Sequence, residues 1–292
     1  MGIATNDNDI GHSNDEVMLH NRPLASVHGI SVTATLQRRG DTFVRPHRTA
    51  AGLLVMVMAA CLSVPLHAQS SSFDGVVALS SQLVDRGVAI TPATPILQGA
   101  AAWTTASGWS LGLSGSTEVR SPGHLVEALA QGSRSWSLSD DWQMQANLLY
   151  YSYPSSARSR AYDRAELGVG WIYRDILTFN LSAAHAFRTG SHRPRAAADL
   201  SLHWPLAWHF SLSAGAGIAE ALVAPVSYRG YTRTSEYDYR GSNHYAYGHA
   251  GLLWVDGRWQ LELDRIATDT DMRHQRGDLR ASPWVATIFR SF

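Results

Sequence analysis

The chain has 292 residues, with 24 cationic side chains against 24 carboxylates, so overall charge selects neither nucleic acid nor an anionic surface as a partner. Hydrophobic residues make up 45%, with 24 Gly, 10 Trp and 11 Tyr, a composition of turn-rich β structure with amphipathic aromatics. The single cysteine, Cys61, excludes an intramolecular disulfide and a thiolate metal cluster.

Residues 1–44 are polar and aperiodic, rich in Asn, Asp, Ser and Thr, and are expected to be disordered or to precede the true translation start near Val44. Residues 45–68 read as a secretory signal peptide. Arg45, His47 and Arg48 form a cationic region, Ala50 to Val64 an apolar one, and Leu66-His67-Ala68 a small-residue cleavage site before Gln69. That apolar stretch falls short of the roughly 20 residues a spanning helix needs. Met58-Ala59-Ala60-Cys61 departs from a lipidation signal in lacking the leading Leu and in lying within a continuing apolar run.

From residue 69 to residue 292, short segments of alternating polarity recur, and they predict an all-β transmembrane antiparallel up-and-down barrel of about twelve strands. The strands are expected to begin near Phe73, Pro95, Gly108, Leu125, Asp141, Tyr162, Asp175, Arg195, Ala207, His244, Arg258 and Ala281. In Trp109 to Val119, Trp109, Leu111, Leu113, Gly115 and Thr117 share one face and Ser110, Gly112, Ser114, Ser116 and Glu118 the other. Likewise Trp142, Met144, Ala146 and Leu148 oppose Gln143, Gln145 and Asn147, and Ala165, Leu167, Val169 and Trp171 oppose Arg164, Glu166, Gly168 and Gly170.

Arg86-Gly87 after the first strand, Pro95 with Gln98-Gly99 opening the second, and Ser107-Gly108 in the following turn resemble the opening of the TorF (Gcw_chp) porin family across Ala78 to Val119. The family pattern has an aromatic before the Arg-Gly pair and Gly-Gly after the Gln, where this chain has Asp85 and Ala100. The resemblance implies an outer-membrane barrel with a transport role and brings no catalytic residues.

The connections alternate in length. Tight turns are expected at Thr104 to Gly108, Ser139 to Asp141, Arg174-Asp175, Pro205 to Ala207 and Asp256 to Arg258. Long polar loops are expected at Asp85 to Thr94, Arg120 to His124, Pro154 to Ala161, Arg188 to Pro194, Ala224 to Asn243 and Thr268 to Arg280. Short periplasmic turns and long extracellular loops are the asymmetry of outer-membrane barrels. Trp103, Trp109, Trp136, Trp142, Trp171, Trp204, Trp208, Trp254 and Trp259 gather at the tight-turn rim, where an indole ring is most stable at the headgroup boundary. A soluble β-sandwich would place them mid-strand instead. The last segment alternates Trp284, Ala286 and Ile288 with Val285, Thr287 and Phe289 and finishes at Phe292, in the manner of the strand that the barrel-assembly machinery recognises. Arg290 departs from that pattern and is suited to snorkel to headgroups.

The polar faces predict a lumen lined by Gln98, Glu118, Gln143, Gln145, Asn147, Arg164, Glu166, Thr178, Asn180, Asp199, His203, Gln260, Glu262 and Asp264. Carboxylates outnumber Arg164 there, which favours a narrow channel for small polar solutes with a preference for cations. Mutual pairing of these charges would plug it instead. Arginines in the long loops suit the phosphates of lipopolysaccharide, and the loop with Tyr228, Tyr231, Tyr237 and Tyr239 could fold inward or bind externally.

No cofactor or metal is expected, the histidine pairs His185/His192 and His203/His209 being weak ligand candidates. An enzyme is not expected either, because Ser242, Asn243, His244 and His249 match no catalytic spacing. A non-conducting barrel acting through its loops is the other reading. The expected partners are outer-membrane lipid, lipopolysaccharide and the assembly machinery, with no nucleic acid.

Overall fold

Alternation of period two, read from Ser72 onward, resolves into twelve strands that curl into a closed ring. The computed structural model describes residues 71–157, 159–189, 193–223, 244–269 and 281–292, with the backbone alone at 231–232 and 235–236. The N-terminal extension, the signal segment and most of the two longest loops lie outside the described residues.

The barrel strands are β1 (Ser72–Ser80), β2 (Ile96–Thr104), β3 (Trp109–Glu118), β4 (Leu125–Ser137), β5 (Trp142–Ser152) and β6 (Arg164–Tyr173). They continue as β7 (Leu177–Ala186), β8 (Arg195–Pro205), β9 (Phe210–Glu220), β10 (His244–Asp256), β11 (Trp259–Thr268) and β12 (Trp284–Ser291). Each pairs antiparallel with its sequence neighbours, and β1 pairs with β12 to complete the ring. Ala78 sits opposite Phe289, and Phe292 and Gly75 exchange backbone hydrogen bonds of 3.0 and 3.2 Å. No strand of the ring keeps an open edge, as hydrocarbon requires.

The register carries one apolar face around the whole circumference. Leu79 opposes Leu97 and Ile288, Ile288 opposes Leu261, and Leu261 opposes Trp254. Leu111 opposes Trp103, and Trp171 lies between Met144 and Phe179. On this outer face Leu111 is 58% exposed, Leu113 67%, Leu167 61% and Ile218 61%. Apolar exposure of that extent around an entire ring is a lipid-facing surface.

Where the observed elements differ from the expected ones, the causes are local. Pro205 ends β8 and the turn runs through Leu206 to His209, with Trp208 and His209 at φ 57° and 67°, so β9 starts at Phe210 and not near Ala207. A 3-10 turn at Ser159–Tyr162 delays β6 to Arg164, and the third tight turn, with Arg174 and Asp175 at φ 47° and 57°, delays β7 to Leu177. Between β3 and β4 the register shifts, so that Thr117 faces Leu125 and Ser116 faces Glu127. The extra residue, Val126, is 2% exposed and joins an internal apolar cluster.

The largest difference concerns the connection from β1 to β2. Its stretch from Asp85 to Thr94 reads as a rim loop, yet Val84–Asp85 and Val88–Ala89 form a small antiparallel hairpin that folds into the barrel. Rim loops are polar because water surrounds them. This one buries Leu83, Val84 and Ile90 to within 4% exposure.

Candidate functional site: the lumen and its internal hairpin

The hairpin turns on two residues, Arg86 and Gly87, with φ of 47° and 74°, the type I′ arrangement that matches strand twist. Gly87 is required twice over. Its left-handed φ suits glycine, and a Cβ there would overlap the Thr268 side chain and approach Tyr247 Cβ at 2.9 Å. Lower down, Ile90 N donates to Leu83 O at 2.9 Å and Gln82 Nε2 donates to Thr91 O at 2.9 Å. Gln82 Oε1 accepts from Ser282 N at 2.7 Å, pinning the hairpin base to the segment before β12.

Apolar contacts anchor both flanks. Leu83 and Ile90 pack with Val126, Leu129, Leu149 and Tyr151 from β4 and β5, while Val84 packs with Ile266 of β11 and Val285 of β12. Val88 lies against Ala197, Ala219 and Tyr245 of β8, β9 and β10. The hairpin therefore reaches the wall on several sides of the lumen.

Its polar tip meets the charged wall. Arg86 pairs with Glu166, donates to Ser182 Oγ at 2.9 Å and stands 3.9 Å from Asp199 Oδ2. Tyr247 donates its hydroxyl to Asp199. Asp85 accepts an ion pair of 2.8 Å from Arg164 Nη2, and Arg164 Nε donates to Glu166 Oε2 at 3.1 Å. The Arg164 guanidinium also lies 3.9 Å from the centre of the Tyr151 ring. Burial of such charges is tolerated because each has a partner of opposite sign.

Among the described residues, cavities lie on the short-turn side of the hairpin. One of about 240 Å³ is lined by nine of the predicted lumen residues, namely Gln145, Asn147, Arg164, Glu166, Thr178, Asn180, Asp199, His203 and Glu262. Another, about 440 Å³, lies among the tight turns and is bordered by Gln143, Gln145, Asp141 and Arg174. Gln98 and Asp264 face inward but are buried against the wall, while Glu118 and Gln260 take the inward register near opposite ends. On the loop side of the hairpin tip is a cavity of about 20 Å³, and Asp85 and Arg86 border both it and the 240 Å³ cavity.

At the short-turn rim, Trp103, Trp109, Trp136, Trp142, Trp171, Trp204, Trp254 and Trp259 take the outward register, and Trp208 stands in the fourth turn, 85% exposed. Arg134 lies between the Trp109 and Trp136 rings at 5.2 and 5.1 Å, and Arg290 lies over Trp259 at 5.2 Å. The second and third turns are joined by Arg174 and Asp141 through bonds of 2.6 and 3.1 Å, and the hydrogen bond from Arg174 holds the Asp141 carboxyl below its ordinary range. Burial pushes the nearby Asp175 carboxyl up.

His203 and His249 face the 240 Å³ cavity, whereas His244 takes the outward register at the loop rim, where its Nε2 is 3.4 Å from Glu220. His244 and His249 are thus on opposite faces, and Ser242, Asn243 and His192 lie outside the described residues. Of the loop arginines, Arg188 pairs with Asp163 at 3.0 Å and Arg193 with Glu220 at 3.0 Å. The inward-folded hairpin is the part of the site that alternation alone misses. Its signal is the spacing of Leu83, Val84, Val88 and Ile90 around Arg86-Gly87, together with the loss of alternation in Leu148-Leu149-Tyr150-Tyr151, a run apolar on both faces.

No protein-family profile and no curated protein sequence matches the chain. Among solved structures it is similar to the NanC porin (TM-score 0.46, 11% identity, covering 76% of this chain and 99% of that chain). It is also similar to the KdgM porin (TM-score 0.42, 10% identity, 76% and 99%) and to Pseudomonas aeruginosa OprD (TM-score 0.33, 10% identity, 74% and 66%).

Proposed function

We propose that this chain is a narrow, porin-like channel of the outer membrane that passes small polar solutes and favours cations. One observation carries the reading: inside an apolar outer ring, the 240 Å³ cavity is bordered by Asp85, Glu166, Asp175, Asp199 and Glu262 against Arg86 and Arg164. Excess carboxylate along a wet passage attracts cations and repels anions. The resemblance of residues 78–119 to the TorF family supports a transport role. In this reading, residues 45–68 direct export, Phe292 serves the assembly machinery, and lipid and lipopolysaccharide surround the barrel. No cofactor and no catalytic step are assigned, and an esterase assay on folded protein is expected to be negative.

Planar-bilayer recording of refolded protein tests the proposal. Discrete, cation-preferring steps are expected. Silence from natively folded protein would favour the loop-acting scaffold, a reading that the hairpin across the lumen supports.

A further inference from the structure

We propose that Arg86, carried into the lumen on the hairpin tip, is the residue that sets the charge selectivity of the pore; this inference rests on the channel reading above. Asp85 and Arg86 stand between the 240 Å³ and 20 Å³ cavities, so a solute crossing from one to the other passes the hairpin tip. Glu166, Ser182 and Asp199, from β6, β7 and β8, fix the guanidinium there. A long side chain at φ 47° occupies a backbone region that L residues rarely adopt. Asn, Asp or Gly would suit that turn position better, so the turn itself does not account for arginine. What arginine adds is a fixed positive charge in a passage otherwise dominated by carboxylates. Without it, Glu166 and Asp199 face the passage with less compensation and cations cross more freely.

The test compares native protein, Arg86→Gln, Arg86→Lys and a chain with residues 83–90 replaced by a Gly/Ser linker, each shown to be folded by heat-dependent gel migration. Permeability ratios are read in planar bilayers under a KCl gradient. Arg86→Gln is expected to raise the potassium-to-chloride ratio roughly threefold or more, and Arg86→Lys to keep the native ratio. An unchanged ratio in Arg86→Gln overturns the inference while leaving the channel standing, since a mere brace would alter stability and not selectivity. If native protein is silent, steps from Arg86→Gln overturn the inference too, because they make Arg86 a plug and not a selectivity residue. Steps from the linker chain alone overturn it. Silence from all four removes the channel reading and this inference together.

Discussion

Asp85 and Arg164 are joined by an ion pair of 2.8 Å that ties the internal hairpin to the barrel wall at a guanidinium only 1% exposed. The same guanidinium also serves Glu166, so one wall cation neutralises a carboxylate from the hairpin and one from its own strand.

Removing one side of this arrangement strands the other in a low-dielectric interior. Arg164→Gln is expected to destabilise the folded barrel by about 3 kcal/mol, and Asp85→Asn by less, because Arg164 keeps Glu166. Combined, the two substitutions should cost less than the sum of their separate effects. Urea unfolding in vesicles, followed by tryptophan emission, measures all three.

Gly87→Val places a branched side chain at a left-handed φ and against Thr268 and Tyr247, at a cost of about 1–3 kcal/mol. Because the hairpin is a side branch of the ring, the expected result is local expulsion and not barrel unfolding. Limited trypsin digestion should release a peptide ending at Arg86 from the variant and not from native protein.

The two faces of β3 and β5 should respond oppositely to the same new charge. Leu113→Arg on the lipid face is expected to cost about 2–4 kcal/mol, whereas Gln143→Arg beside the 440 Å³ cavity should change stability by less than about 1 kcal/mol. Equal effects would contradict the assignment of faces.

The Asp141–Arg174 bridge predicts a pH dependence of definite sign. The folded carboxyl titrates below its ordinary 3.8, so the contribution of the pair is complete above that value and is lost as pH falls through the lower, folded one. An NMR titration of Asp141 should show a midpoint below 3.8 that moves up to it in Arg174→Gln. Both side chains reach solvent, Arg174 being 57% and Asp141 41% exposed, and added salt should shrink the difference.

The ring and its faces are legible in the sequence because a strand with oil on one side and water on the other must alternate: Trp109 to Ser114 and Trp142 to Asn147 do so without exception. Turn positions were displaced where backbone geometry, not hydrophobicity, decides, as at Trp208 and His209. The lumen residues follow from the same alternation, but their closure by the hairpin does not, since alternation says which way a strand residue points and nothing of where a connection lies. Arg86-Gly87 is visible as a turn signal. That its tip meets Glu166 and Asp199 depends on strands far along the chain, which no local pattern encodes. The bulge at Val126 is hidden for a similar reason, being a mismatch between two strands and a property of neither alone.

The pairing of β1 with β12 is the ring's single joint between strands that are not consecutive in the chain. Every other ladder joins strands that follow one another around the ring, whereas this one needs the first and last barrel segments together. Until then the growing sheet carries two unpaired margins, each able to recruit a stranger. The order in which these margins are covered, and not their affinity, is therefore the hazard of this architecture.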